Sequence, residues 1–145
     1  MTLGAPKTYE LTIASRLEEL DDVRLLINQA SKAFRLGEDL AYWMELTITE
    51  SVINAVRHGN QMDPSKKATL RISSHGGSIE VIVEDQGAGF RLEDLADPTN
   101  AENLLKPNGR GILIIRSFMD EVALSTREGG GFRLRMVKYI EETRQ

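Results

Sequence analysis

Residues 50–60 read ESVINAVRHGN and carry a carboxylate, a carboxamide and an imidazole at four-residue spacing, in Glu50, Asn54 and His58. Residues four apart lie on one face of a helix. Apolar residues fill the other sides, and the Gly-Asn pair that closes the segment is typical of a helix end. The pattern predicts a long helix from about residue 38 to residue 58, with one polar stripe on an otherwise apolar surface.

The size and charge of the chain limit what it binds. Its 145 residues are the usual length of one domain and are enough to bury a core. The net charge of -4 argues against a DNA or RNA binder, because such a protein needs a basic surface to displace counterions. A single nucleotide needs only local hydrogen-bond donors, so a nucleotide ligand is still allowed.

The chain contains no cysteine, which excludes disulfides, zinc thiolates and thiol nucleophiles and suits a reducing compartment. Apolar runs such as residues 112–115 are far too short to cross a bilayer. The N-terminal MTLGAPKTYE has no apolar signal core. These features predict one soluble, cytoplasmic domain over residues 1–145, with no membrane contact.

Hydrophobic periodicity divides the chain into strands and helices. Helical spacing extends over residues 16–35, where Ser15 and Glu18 have the spacing of a capping box. In the second helix, Trp43 and Met44 are expected to pack in the core. An apolar segment, Ile112 to Met119, predicts a third helix. Strand-like alternation recurs near residues 9–13, 68–73, 79–84, 122–124 and 132–136.

Each predicted strand is apolar on one face and polar on the other. A sheet covered on both faces would show continuous apolar runs instead. The sequence therefore predicts an α+β fold, a two-layer α/β sandwich. About five mixed or antiparallel strands would carry three helices on one face.

A glycine motif, DQGAGF, follows the third strand at residues 85–90. Glycines at alternate positions let a backbone turn sharply and approach a flat ligand closely. A carboxylate at a strand end, here Asp85, can accept a hydrogen bond from an exocyclic amine such as that of adenine and would repel the carbonyl of guanine. The other interpretation is a strand that simply ends in a glycine turn.

A second glycine motif, NGRG, opens the third helix at residues 108–111. Free backbone N–H groups at a helix start suit a phosphate, and Arg110 adds a charge-assisted donor. The motif is neither a Walker loop nor a dinucleotide-binding fingerprint. Residues 91–108 carry two prolines and little periodicity, which predicts a mobile loop.

In their order and spacing, these segments resemble the GHKL ATPase and kinase superfamily and, within it, the anti-sigma-factor serine kinases. The resemblance runs from Tyr9 to about Lys138 and implies a two-layer sandwich with ATP between the helices and a lid. The matching stretches are TESVINAVRHGN (49–60), VEDQGAGF (83–90), NGRGILII (108–115) and MDEV (119–122).

The resemblance implies a role for each polar group of these stretches. Asn54 would bind Mg²⁺, a cation that prefers oxygen ligands. Glu50 would orient or deprotonate the attacking hydroxyl, and Asp85 would bind the adenine amine. The other residues of the implied ATP or ADP site are Arg57, His58, Gly87, Ala88, Gly89, Gly109, Arg110, Gly111 and Ile112.

The residues alone leave simpler interpretations open. A mid-helix Asn54 or Glu50 also fits a solvated helix face, and His58 fits a capping role in the last helical turn. One feature departs from the family. Its members commonly carry a threonine beside the glycine that opens the last strand, whereas this chain has Gly131 followed by Phe132.

Two functional hypotheses follow, beside a scaffold that binds no ligand. The first is a serine/threonine kinase that phosphorylates a small STAS-type antagonist and, in its other state, sequesters a sigma factor. The second is a nucleotide-gated binding module that sequesters a partner and never turns ATP over. The resemblance also implies a homodimer, although the charged outer face of the sheet is not typical of an obligate hydrophobic interface.

Overall fold

The computed structural model describes residues 7–87 and 107–140, with side chains from residue 113 onward in the second range. Within these ranges the chain forms one antiparallel sheet of five strands in the order β1-β2-β3-β5-β4. The strands are β1 (Thr8–Ala14), β2 (Lys67–His75), β3 (Ser78–Glu84), β4 (Glu121–Thr126) and β5 (Phe132–Tyr139).

Three α-helices pack on one face of this sheet: α1 (Leu20–Ala33), α2 (Glu38–Asn54) and α3 (Pro107–Phe118). The predicted α+β sandwich is confirmed, and its described strands are all antiparallel. None of these helices is long and apolar enough to span a membrane. That residues 1–145 form a single domain stays a prediction.

The core lies between the sheet and α1 and α2. Alternate residues of β2 and β3 face the helices, as their period of two requires. Helices α1 and α2 meet them with residues three and four apart, which share one helical face. The buried side chains are Ala68, Leu70, Ile72, Ile79, Val81 and Val83 from the strands, and Val23, Ile27, Met44, Ile48 and Val52 from the helices.

The opposite face of the sheet is charged, as its alternation predicts. Arg71 Nε lies 2.9 Å from a carboxylate oxygen of Glu10, and Arg135 Nε lies 2.6 Å from one of Glu80. Two apolar residues on this face, Ile82 and Val137, are buried nonetheless. Long charged side chains can cover apolar surface in this way while their heads stay in water.

The second helix differs from its prediction at its C-terminal end. The α-helical part stops at Asn54, and Ala55–Gly59 forms a π-helical turn. The backbone N–H of Asn60 closes this turn by donating to the carbonyl of Ala55 at 2.8 Å. Single π turns inside helices often occur at functional sites.

The predicted capping box at Ser15 and Glu18 is wrong. Helix α1 is preceded by a 3₁₀ turn at Leu17–Glu19, whose N-cap residue, Arg16, makes no side-chain cap bond. The Ser15 hydroxyl instead donates to the carbonyl of Lys66 at 2.8 Å. Ser15 thus fixes a contact with the start of β2.

The prediction that Trp43 packs in the core is also wrong. Trp43 is 44% exposed and stacks edge-to-face on the exposed Tyr42, whereas Met44 is buried as expected. Adjacent helical residues point about 100° apart. Once Met44 faces the core, Trp43 is therefore turned towards solvent.

Helix α2 also buries hydroxyl groups beyond the predicted stripe. Ser51 Oγ donates to the carbonyl of Thr47 at 2.9 Å and lies 3.3 Å from Met136 Sδ. The hydroxyls of Thr47 and Thr49 are buried and have no hydrogen-bond partner within the described ranges. Each unpaired hydroxyl costs folding free energy, because unfolding returns it to water.

Replacing Thr47 by Val should therefore stabilise the protein by roughly 1 kcal/mol, because the change removes an unpaired buried hydroxyl and keeps the β-branched shape. Urea denaturation of purified protein measures the effect. The matched change Ser51→Ala should destabilise instead, since that hydroxyl is satisfied. A Thr47→Val protein less stable than wild type would contradict the prediction.

Candidate functional site

A cleft opens between α2, α3 and the β4–β5 end of the sheet. It has an empty volume of about 630 Å³, which includes space open to solvent. Its walls are mostly apolar, a combination that suits a flat organic group with a few polar edges. The lining residues are Ser51, Asn54, Ala55, Val83, Asp85, Ile115, Arg116, Val122, Leu124, Phe132 and Leu134.

Asp85 supplies the buried carboxylate of this cleft and is only 6% exposed. Its Oδ1 accepts hydrogen bonds from the backbone N–H of Gly87 at 3.0 Å and of Phe132 at 3.1 Å. Burial raises the pKa of Asp85, and these two bonds and the charge of Arg127 oppose that rise. Oδ2 lies against Gly59 and makes no hydrogen bond in the part of the chain described, so its acceptor capacity is unused.

Three glycines let the backbone close around Asp85. A Cβ at Gly59 would overlap the Asp85 carboxylate, and one at Gly131, where φ is +101°, would overlap the Asp85 carbonyl. A Cβ at Gly87 would overlap the Gly59 carbonyl. Gly87 was predicted to shape the pocket, and here the close approach is to the π turn. Gly59 and Gly131 were missed, because nothing in their local sequence indicates what packs against them.

Asn54 occupies the last position of α2, with its carboxamide at the cleft and 9% of the residue exposed. The side chain makes no hydrogen bond to any other described residue. Its amide oxygen is therefore a ligand of the kind that a hard cation prefers. Glu50 lies one turn earlier, half-buried, outside the cleft lining.

Arg57 and His58 lie on the π turn that follows Asn54. Arg57 is exposed and His58 is half-buried, and the cleft lining contains neither. Their assignment to the nucleotide site stays a prediction.

Gly109, Arg110, Gly111 and Ile112 lie within α3, which begins at Pro107. The NGRG motif is thus the opening of the helix itself, where the first N–H groups have no intrahelical partner. Ala88 and Gly89 lie outside the described residues, as does the lid expected over residues 91–108 except for its last two positions.

The cleft brings together residues from distant parts of the sequence. Asn54 and Asp85 line it together, and α3 contributes Ile115 and Arg116. Asn54 of α2, Asp85 after the end of β3, and two residues of the third helix therefore line one cleft. Leu124, Leu134 and Phe132, which come from segments with strand-like alternation, form an apolar wall of this cleft.

Comparison with known proteins agrees with this architecture. Residues 13–138 match the family described as the histidine kinase-like ATPase domain. The serine-protein kinase RsbW of Bacillus subtilis is 24% identical over 141 residues, or 93% of this chain and 87% of its own length. The anti-sigma F factor of Anoxybacillus flavithermus is 25% identical over 103 residues, 70% of each chain.

A solved structure shows the same fold. One chain of the SiaB–SiaC complex from Pseudomonas aeruginosa superposes with a TM-score of 0.67, at 17% identity, over 89% of this chain and 88% of its own length. At that identity the likeness concerns the fold alone. With a family match that spans most of its length, the chain belongs to the histidine kinase-like ATPase domain family, in the GHKL branch that includes the anti-sigma-factor kinases.

Proposed function

We propose that this protein is an ATP- and Mg²⁺-dependent serine/threonine kinase that acts as an anti-sigma factor in the cytoplasm. It would phosphorylate a small STAS-type antagonist and, in its other state, sequester a sigma factor. The observation that carries the proposal is the shared cleft of Asn54 and Asp85. The names of the relatives, a serine-protein kinase and an anti-sigma factor, support the same assignment.

Asp85 is the residue that would recognise adenine. Its Oδ1 is occupied by two backbone N–H donors, and Oδ2 would accept the exocyclic amine. The apolar lining from β4, β5 and α3 would cover the faces of the base. Guanine presents a carbonyl where adenine presents its amine, and a carboxylate would repel it.

Asn54 is the residue that would hold Mg²⁺ beside the phosphates, through its carboxamide oxygen. When bound, the cation supplies positive charge to the phosphoryl group that is transferred. The opening N–H groups of α3 would add donors to the phosphate oxygens.

Glu50 would act on the attacking hydroxyl of the antagonist. Phosphoryl transfer passes through a loose transition state, in which positioning of the hydroxyl matters more than early proton removal. Glu50 makes no ion pair within the described ranges, so its carboxylate is available for this task.

The kinase proposal is tested with γ-labelled ATP and purified STAS-domain proteins from the same organism. We expect label on a serine or threonine of one of them, only with Mg²⁺ present. A STAS protein that binds this chain in a pull-down and still takes no label would overturn the kinase assignment.

A second candidate function is a nucleotide-gated binding module without turnover. The observation in its favour is Phe132, whose ring lines the cleft beside Gly131, where the resemblance predicts a threonine hydroxyl. Such a protein would bind ATP and a partner but would label no substrate. We propose a homodimer under either function. Sedimentation of the purified protein tests this oligomeric state.

The pH dependence of nucleotide binding should report on Asp85. Protonation removes the acceptor for adenine, and because burial raises the pKa of Asp85 above 3.8, the loss should begin at a higher pH than for an ordinary aspartate. The ratio of ATP to GTP affinity should therefore fall as the pH is lowered into the acidic range. Both nucleotides carry the same triphosphate, so its titration cancels in the ratio.

Lowering the pH weakens nucleotide discrimination by Asp85, but it does not weaken the contribution of Asp85 to the stability of the free protein. Neutral Asp85 favours the folded state below its unfolded pKa, and this contribution is lost as the pH rises through the folded pKa. Acidification should thus weaken ATP discrimination without Asp85 itself destabilising the fold. Asp63→Asn, a change at a loop carboxylate that does not line the cleft, should leave the pH profile of the ratio unchanged. A ratio independent of pH would contradict the assignment of Asp85.

A further inference from the structure

The peptide group between Asp85 and Gln86 is hydrogen-bonded on both sides. Its carbonyl, the Asp85 oxygen, accepts a bond from Arg127 Nη1 at 2.7 Å. Its N–H, on Gln86, donates to Asn60 Oδ1 at 2.8 Å. Both donor and acceptor of one peptide plane are thus held by side chains from separate parts of the chain.

Asn60 supports this peptide from the side of the π turn. It is completely buried, and its Nδ2 donates to Ser15 Oγ at 2.8 Å and to the Lys67 carbonyl at 2.9 Å. A buried carboxamide with this many partners has one orientation, because any rotation would leave polar atoms unpaired. Gln86 closes the network by accepting a bond from the Lys67 N–H at 2.6 Å.

Arg127 supports the same peptide from the opposite side, at the hairpin between β4 and β5. Its backbone N–H donates to the Gly131 carbonyl at 2.9 Å, and its Nε lies 3.5 Å from a carboxylate oxygen of Glu84. The side chain is thereby directed at the Asp85 carbonyl from a tight turn. A bond from a charged donor is stronger than a neutral one.

These contacts leave the Asp85 side chain little freedom. The peptide plane fixes the backbone that carries it, and the two N–H groups on Oδ1 fix its rotation. Oδ2 therefore has one position relative to the cleft. Hydrogen bonds weaken steeply with poor geometry, so discrimination by this oxygen depends on that position.

We propose that Asn60 and Arg127 are positioning residues that clamp the Asp85–Gln86 peptide and so set the preference of the cleft for adenine over guanine nucleotides. The proposal rests on the proposed function, in which Asp85 recognises the base. Neither side chain lines the cleft, so both act through Asp85.

The test measures dissociation constants for ATP and GTP by calorimetry, at about pH 8, where the carboxylate is ionised. The readout is the ratio of the two constants. Partial unfolding weakens the binding of both nucleotides equally and leaves this ratio unchanged. In Asn60→Ala and in Arg127→Ala the ratio should fall about tenfold. The double variant should lose little more, since the two residues hold one peptide.

Ser15→Ala is the matched control. It removes a bond from the buried network but leaves the Asn60 oxygen on Gln86, so it should lower stability and keep the ratio. If Asn60→Ala does not fold, Arg127→Ala still decides, because its side chain is partly exposed. If both single variants keep the wild-type ratio of ATP to GTP affinity, the clamp proposal is wrong, while base recognition by Asp85 still stands. A wild type without a preference for ATP overturns base recognition by Asp85, and the clamp with it.

Discussion

Replacing Asp85 by Asn is expected to invert the nucleotide preference of the cleft. ATP should bind about 100-fold more weakly, and GTP more tightly than it binds the wild type. The backbone N–H groups of Gly87 and Phe132 both point at one oxygen of residue 85. The carbonyl of the new carboxamide must take that position, since an amide nitrogen there would face two donors.

The amide nitrogen then occupies the place of Oδ2. It donates where the carboxylate accepted, so it opposes the adenine amine and pairs with the guanine carbonyl. Calorimetry with both nucleotides measures the outcome. Asp85→Ala is the control, because its affinity for ATP should fall while its affinity for GTP should not rise. An Asn variant that keeps the wild-type affinity for ATP would show that the base is recognised elsewhere.

The two faces of the sheet could be predicted from the sequence, because a strand with one buried face has apolar residues at every second position. Alternation placed Leu70, Val81 and Leu134 towards the helices, and the structure confirms that arrangement. The polar groups at Asn54 and Asp85 stood out for the converse reason, since each interrupts or ends an apolar segment. Both kinds of signal lie within a short segment, so one sequence is enough to detect them.

The support for Asp85 could not be predicted in the same way. Ser15 has the spacing of a capping box, yet its hydroxyl bonds to Lys66, 51 positions away. Asn60 looked like a helix stop and is the centre of a buried network. Such long-range hydrogen-bond partners depend on which strands become neighbours in the fold. Hydrophobic periodicity carries no information about that.

Replacing Glu50 by Gln should abolish phosphoryl transfer while ATP binding persists. A positioned acid–base group contributes about 10²–10⁴ in rate, and the carboxamide keeps the shape but not the charge that orients the hydroxyl. ATP affinity should stay within about twofold, because Glu50 is absent from the cleft lining. Labelling of the antagonist and calorimetry with ATP measure the two effects separately.

Glu45→Gln is the matched control for the loss of charge. Glu45 is also half-buried on α2, five residues before Glu50, and its variant should transfer phosphate at the wild-type rate. Both variants should keep the thermal stability of the wild type, since neither glutamate forms an ion pair within the described ranges. A Glu50→Gln protein that labels the antagonist normally would remove Glu50 from the chemistry. A wild type that binds ATP and partner but labels nothing, with Glu50→Gln indistinguishable from it, would identify a nucleotide-gated binder.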